Sequence, residues 1–352
     1  MVHSCAFFNN KGGVGKTTSI ANLGDRIGKL GYKVVVLDLD PQCNITQYFL
    51  SDDEWEDLFE DANNSSEKTL WKFVKPITQS RSISPESVGD VPVKSGRFGF
   101  DLVPGHPFAS RLDDALAEQW GNYRLGKVGG IEATLWCKLL IERLESQIEN
   151  LDYVLFDLGP SLGPLNRSVL LSCDSFVSPV SPDLFSLYSF DNLLSWFTTL
   201  ERSIKITTST HEDDLREYSS EWWYEKFLQG LEVNFLGYIS QEYVTRTTKG
   251  VRRRTRSYNR FLRQIPEKAG HLARKMNGNF DGDDSKTEIG VMPHMYSMVS
   301  LAHDAHAPVS NLSSADGLTG AQFKQRDRYT DDLDTLSREI IKRMGERNAK
   351  GE

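Results

Sequence analysis

Lys11 and Lys16 sit in the run "NNKGGVGKTT", followed directly by Thr17 and Thr18, and these are the residues of the chain best suited to chemistry on phosphate. The pattern G-x-x-x-x-G-K-[ST] cradles phosphates because its glycines let consecutive backbone N–H groups turn onto phosphate oxygens, while the following helix N-terminus adds a favourable dipole. Gly12, Gly13, Val14 and Gly15 would supply the amides, Lys16 would reach the β- and γ-phosphates, and the Thr17 hydroxyl would bind Mg²⁺. The pattern is altered, because Asn10 occupies the place of its first glycine and Lys11 is an additional cation. Two acidic positions complete the set. Asp38 and Asp40 lie in "VVVLDLDPQ", and on an extended segment they would face the same side. Asp157 ends the apolar run "YVLF", where a carboxylate fits a magnesium-binding role.

The elements that must position these residues are legible around them. Residues 2 to 9 read as a short strand, and Ile20, Leu23, Ile27 and Leu30 recur at helical spacing until Gly31. "KVVVLDLD" (33 to 40) is a continuous apolar strand of the kind buried in a parallel sheet. Further strands are expected at 98 to 105, 153 to 161, 175 to 182 and 233 to 240. Helices are expected at 131 to 149, from about Pro164, and at 189 to 204. This alternation predicts an α/β fold, a doubly wound and mostly parallel twisted sheet with helices on both faces. One domain over 1 to 352, with polar insertions at 51 to 95, 205 to 230 and 246 to 289, fits better than two.

The sequence from "KGGVGKTT" to "DLDPQ", with "DLGPS" at 157 to 161, resembles the deviant Walker A ATPases of the ParA/MinD family, closest to the ParA/Soj branch of P-loop NTPases. The resemblance implies ATP and Mg²⁺ as cofactors and a homodimer formed on ATP binding. It also implies a role for Lys11, which would cross that dimer to the partner's phosphates, as an arginine finger does; the alternative is an exposed loop cation. By the same resemblance Asp40 positions or activates the attacking water, while Asp38 joins Thr17 and Asp157 around the metal. Lys11, Lys16 and Asp40 would thus be catalytic. "GVMPHMYSMV" is similar to a late segment that packs on adenine, so Pro293 would line the base, although His294 stands where an arginine is usual. Gly159 replaces a proline of the family's D-x-P-P-S loop.

The basic run at 246 to 263 is not explained by the resemblance, although Arg246 stands where the family stretch similar to "LGYISQEYVTRT" ends in an arginine. Arg252, Arg253, Arg254, Arg256 and Arg260 lie among its eight Lys and Arg residues, without a single acid. In a chain of net charge −8 this concentrates positive charge locally, and phosphate-backbone binding without sequence readout is its natural use. A solvated basic loop is the alternative. The acidic balance excludes wholesale coating by nucleic acid. Four cysteines without paired spacing fit a reduced, cytoplasmic protein, and no run approaches the ~18 apolar residues of a membrane span. The C-terminal face of Leu333, Leu336, Ile340, Ile341 and Met344 reads as a core-packing helix rather than a membrane anchor, and "EWWYEKF" reads as core rather than a partner patch.

The function expected is therefore an ATP-hydrolysing switch, slow without a partner, that binds DNA non-specifically and acts in plasmid or chromosome partition with a ParB-like activator. Alternatives are a positioning or regulatory ATPase for a protein cargo, or the ATPase of a phage-defence or mobile-element system.

Overall fold

The computed structural model describes residues 2–60, 67–81, 92–242, 246–248, 251–253, 256–278, 280 and 282–348. Its centre is an eight-stranded sheet of β1 (His3–Phe7), β2 (Lys33–Asp38), β3 (Val93–Lys94), β4 (Asp101–Val103), β5 (Leu151–Asp157), β6 (Ser175–Val180), β7 (Asn234–Gln241), and a last strand, Glu288–Met292. A separate antiparallel hairpin, β8 (Arg246–Thr248) and β9 (Val251–Arg253), precedes that last strand, which is therefore β10. The order across the sheet is β10-β7-β6-β1-β5-β2-β4-β3, parallel throughout except for the short edge pair β3–β4.

Alternation along the central strands builds two layers, because successive side chains of a strand point to opposite faces. Ala6, Val35, Leu37, Val154 and Phe156 enter one apolar cluster, while Cys5, Phe7, Val34, Val36 and Leu155 enter the other. The second layer is covered by α1 (Lys16–Lys29) and by the long C-terminal helix Gln322–Asn348, whose Leu333, Leu336, Ile340 and Met344 are buried. That helix packs on α1, as expected of a core element. No helix among the described residues is long and apolar enough to cross a membrane.

The remaining helices follow in chain order: α2 (Asn44–Phe49), α3 (Asp52–Glu60), α4 (Trp71–Thr78), α5 (Ala109–Arg124), α6 (Val128–Thr134), α7 (Trp136–Gln147), α8 (Pro164–Ser172), α9 (Leu184–His211), α10 (Tyr224–Gln229), α11 (Arg256–Asn277) and α12 (Met298–Asp304). Two expectations need correction. The helix expected over 131 to 149 is broken at Leu135 into α6 and α7; its apolar spacing continues across a change of direction that periodicity does not detect.

The three polar segments are also less peripheral than their composition suggests. Trp71, Phe73, Val74 and Ile77 of α4 are buried, and around α10 Trp223, Tyr224 and Phe227 are buried, in line with the reading of that aromatic cluster as core. Helix α11 buries Ile265, Ala269, Leu272 and Ala273 and packs along α9. Lys268 pairs with Asp191 at 2.8 Å, and Lys275 pairs with Glu201. Charge on the outer faces of these helices masks the apolar stripe in a composition count.

Candidate functional site

The parallel strands β6, β1, β5 and β2 lie side by side, so the loops after them open on one carboxyl edge. The chain's direction of travel across the sheet reverses around β1, and open α/β sheets take their ligands in the crevice at such a point. The loop after β1 leaves through Asn9, whose buried side chain donates to Pro179 O at 2.9 Å and accepts from Ser189 Oγ at 2.7 Å and from Lys11 N at 3.0 Å. These bonds fix where the glycine run begins.

Gly13 and Gly15 then take φ of 70° and 77°, left-handed backbone that costs a residue with a Cβ roughly 1–2 kcal/mol. Gly15 is also the N-cap of α1, without a side-chain cap bond. The first-turn amides of α1 therefore have no side chain capping them and are placed to receive an anion.

Lys16, the first residue of α1, is 7% exposed and donates to Lys11 O at 3.1 Å. Burial lowers the pKa of its ammonium, while the carboxylates of Asp157 and Asp40 act against that shift. The three groups thus share one small space. Asp157 ends β5 and is 1% exposed, and neither of its oxygens meets a partner in hydrogen-bond geometry. Burial, with the charge of Asp38 added, raises its pKa well above the usual carboxylate range, against the neighbouring Thr17 hydroxyl and Lys16. A buried carboxylate with unused lone pairs beside a hydroxyl is a hard-oxygen donor set that suits Mg²⁺ held partly through water. No group of three or more His, Cys, Asp or Glu side chains among the described residues forms a closed metal cage.

The strand expected to carry both Asp38 and Asp40 stops at Asp38, and the chain then turns. Asp40 sits in that turn, with Gln42 N donating to its Oδ1 at 3.0 Å and Cys43 N to its backbone O at 2.8 Å. A methyl placed on Gly159 would lie 3.4 Å from Asp40 Oδ1. The Asp40 carboxylate therefore rests against the loop that follows Asp157.

Asp38 is fully buried, accepting from Thr46 Oγ1 at 2.6 Å, Thr46 N at 3.1 Å and Asp40 N at 3.2 Å. Burial first, with the nearby charge of Asp40, pushes its carboxyl up to about 7, against the Thr46 bonds. The folded value lies above the ordinary 3.8, so between these the folded chain holds a proton that the unfolded chain has lost. Stability contributed by Asp38 is complete below about pH 4 and falls as pH rises toward 7, by on the order of 1 kcal/mol per pH unit at most. Urea unfolding across this window should show Asp38→Asn flattening the slope, and an unchanged slope would refute the assignment.

Lys11, the loop's other lysine, takes a different carboxylate. Its ammonium forms an ion pair with Asp183, which follows β6 and also caps α9 by accepting from Ser186 N at 3.0 Å. Leu184, Phe185 and Tyr188, on the first turn of α9, are exposed apolar side chains beside that pair. Asp183 was not singled out by the sequence; its place after a strand and before a helix is the signal that would have found it.

Pro293 is buried after β10, while Tyr296 presents its ring at the surface. His294 N donates to Glu242 at 2.9 Å, and Tyr329 OH donates to His294 O at 2.9 Å. Of the basic candidates, Arg252 and Arg253 belong to β9 and Arg256 opens α11, Arg260 is exposed on α11, and Arg254 lies outside the described residues.

A family model described as an AAA domain matches residues 2–209. The sporulation initiation inhibitor protein Soj of Bacillus subtilis is 27% identical over 205 residues, covering 56% of this chain and 66% of Soj. Protein DIP2308 from Corynebacterium diphtheriae, a crystal structure, aligns with a TM-score of 0.71 at 30% identity over 87% of this chain and 97% of its own. A putative plasmid partition protein from Borrelia burgdorferi bound to AMPPNP aligns with a TM-score of 0.54 over 97% of this chain and 99% of its own. Its 16% identity makes that likeness one of fold. The match spans only 65%, 44% and 48% of the length of the first three curated relatives.

Proposed function

From the premise that this chain belongs to the AAA domain family, as a P-loop ATPase of the ParA/MinD type, we propose that it is an ATP-driven dimerisation switch. In this reading Mg-ATP favours a homodimer that binds DNA non-specifically, and hydrolysis releases it. The role is plasmid or chromosome partition, with a ParB-like protein stimulating a slow ATPase. The observation that carries the reading is the placement of Lys11. Its ammonium points to Asp183 rather than into its own phosphate loop, and exposed Leu184, Phe185 and Tyr188 flank it. A cation in this position is available to a second subunit docked on that apolar rim.

The loop amides and Lys16 would hold the β- and γ-phosphates. Thr17 and, through water, Asp157 and Asp38 would hold magnesium, with Asp38 also bracing the turn that carries Asp40. Magnesium supplies charge neutralisation on the phosphate oxygens when bound. Asp40 accepts hydrogen bonds from, and so orients, the attacking water, and Lys11 of the partner stabilises charge that develops on the transferred group. The ATP analogue named with the Borrelia protein favours ATP here. The hairpin β8–β9 starts within five residues of Gln241 at the same carboxyl edge, which would link nucleotide state to the basic run.

Light scattering on Asp40→Ala with Mg-ATP or Mg-ADP, with and without duplex DNA, tests the proposal. Dimers with ATP alone, which then bind the duplex with an affinity falling steeply with salt, are expected. An ATP dimer that ignores DNA would replace partition by the positioning of a protein cargo, and a monomer under all conditions would refute the switch.

A further inference from the structure

Strand β7 runs one residue past the paired end of β6, where Val180 lies opposite Ser240. Its last residue, Gln241, therefore clears β6, and its side chain reaches across to the phosphate loop. Gln241 Nε2 donates to Val14 O at 3.2 Å. The amide also lies flat against Gly15, since a methyl there would come within 2.8 Å of Nε2 and 3.3 Å of Cδ. The next residue, Glu242, holds the opposite side: its backbone N donates to Met292 O at 2.9 Å, and its carboxylate accepts from His294 N at 2.9 Å. Two consecutive residues thus join the glycine loop to the segment after β10.

We infer that Gln241 is a positioning residue for the phosphate cradle, aiming the Gly15 amide at the nucleotide by anchoring the carbonyl of the same peptide. The inference rests on the nucleotide-binding reading above and adds to it a residue that touches no phosphate. A trans peptide points its C=O and N–H in opposite directions. With Val14 O held by Gln241, Gly15 N–H must face away from β7. Released, this peptide could flip, because glycine tolerates both signs of φ, and would then present a carbonyl oxygen to an anion. Of the other side-chain bonds to the loop, Asn9 Oδ1 holds only Lys11 N, and Lys16 Nζ to Lys11 O cannot do this work, since Lys16 must leave it to reach phosphate. The Gln241 bond has no such conflict.

The test uses the full chain, isothermal titration with Mg-ATP and with ADP, and steady-state turnover. Gln241→Met keeps length and volume but removes the donor. Loss of one neutral hydrogen bond should weaken both nucleotides about 3- to 10-fold. Gln241→Glu keeps the shape, cannot donate when ionised and sets a negative charge beside the phosphates, so its loss should exceed tenfold and be larger for ATP than for ADP. In both variants KM for ATP should rise while kcat stays within about twofold, the pattern of lost uniform binding. The melting temperature without nucleotide should match wild type for Gln241→Met, which decides the matter if Gln241→Glu is unstable. Wild-type-like affinity in Gln241→Met, or a fall in kcat at unchanged KM, overturns this role alone. A wild-type chain that binds neither nucleotide overturns the site reading as well.

Discussion

Lys16→Ala should lower ATP affinity at least a hundredfold in titration calorimetry while leaving a folded protein. The expectation follows from where the ammonium sits. It is almost fully buried, with Asp157 and Asp40 as its charged neighbours and no carboxylate in hydrogen-bond contact. Charge-assisted hydrogen bonds contribute roughly 1.5–3 kcal/mol each, and two to phosphate oxygens would amount to two or more decades of affinity. Removing the cation also leaves Asp157 without the charge that opposes its protonation, which weakens the same pocket for magnesium. Affinity retained within tenfold, with an unchanged melting temperature, would refute the assignment of this loop as the nucleotide site.

The second large effect is expected from Lys11→Ala, with the opposite signature. Because the Lys11 ammonium contacts Asp183 rather than its own loop, the monomer should bind nucleotide within a few-fold of wild type. Turnover should fall by about a thousandfold or more, the lower end of what a cation supplied in trans contributes to phosphoryl transfer. Mixing Lys11→Ala with Asp40→Ala provides the decisive measurement. In the mixed dimer the Lys11→Ala subunit keeps Asp40 and receives Lys11 from its partner, so one site is complete and activity returns. Failure of the mixture to recover activity, with both variants still binding ATP, would sink the trans role.

How much of this was readable beforehand differs from residue to residue. The loop from Asn9 to Thr18 and the strands carrying Asp38 and Asp157 were legible because local chemistry fixes them: positive φ demands glycine, and buried parallel strands read as apolar runs. The turn at Asp40 was not, since a Pro after it leaves open where the strand stops. Asp183 and Gln241 were missed for a different reason. Each lies at a strand end far from residue 11 or 14 in the sequence, and only the order β7-β6-β1 makes them neighbours. The burial of α4 and α11 was hidden by composition, because a polar helix needs only a narrow apolar stripe to join a core.

Helix α9 has a mechanical consequence. It is 28 residues long, close to 42 Å at 1.5 Å per residue, with Asp183 and the Lys11 contact at one end. Along its length ride Asp191 and Glu201, bolted by ion pairs to Lys268 and Lys275 of the helix that follows the basic hairpin. Lys268 meets Asp191 and Lys275 meets Glu201, so the two helices run in the same direction and the second begins beside the Asp183 end of the first. Whatever pulls Lys11 off Asp183 therefore acts at the end of the helix pair where the chain enters from the basic hairpin, with no need for a chain of small rearrangements between the two.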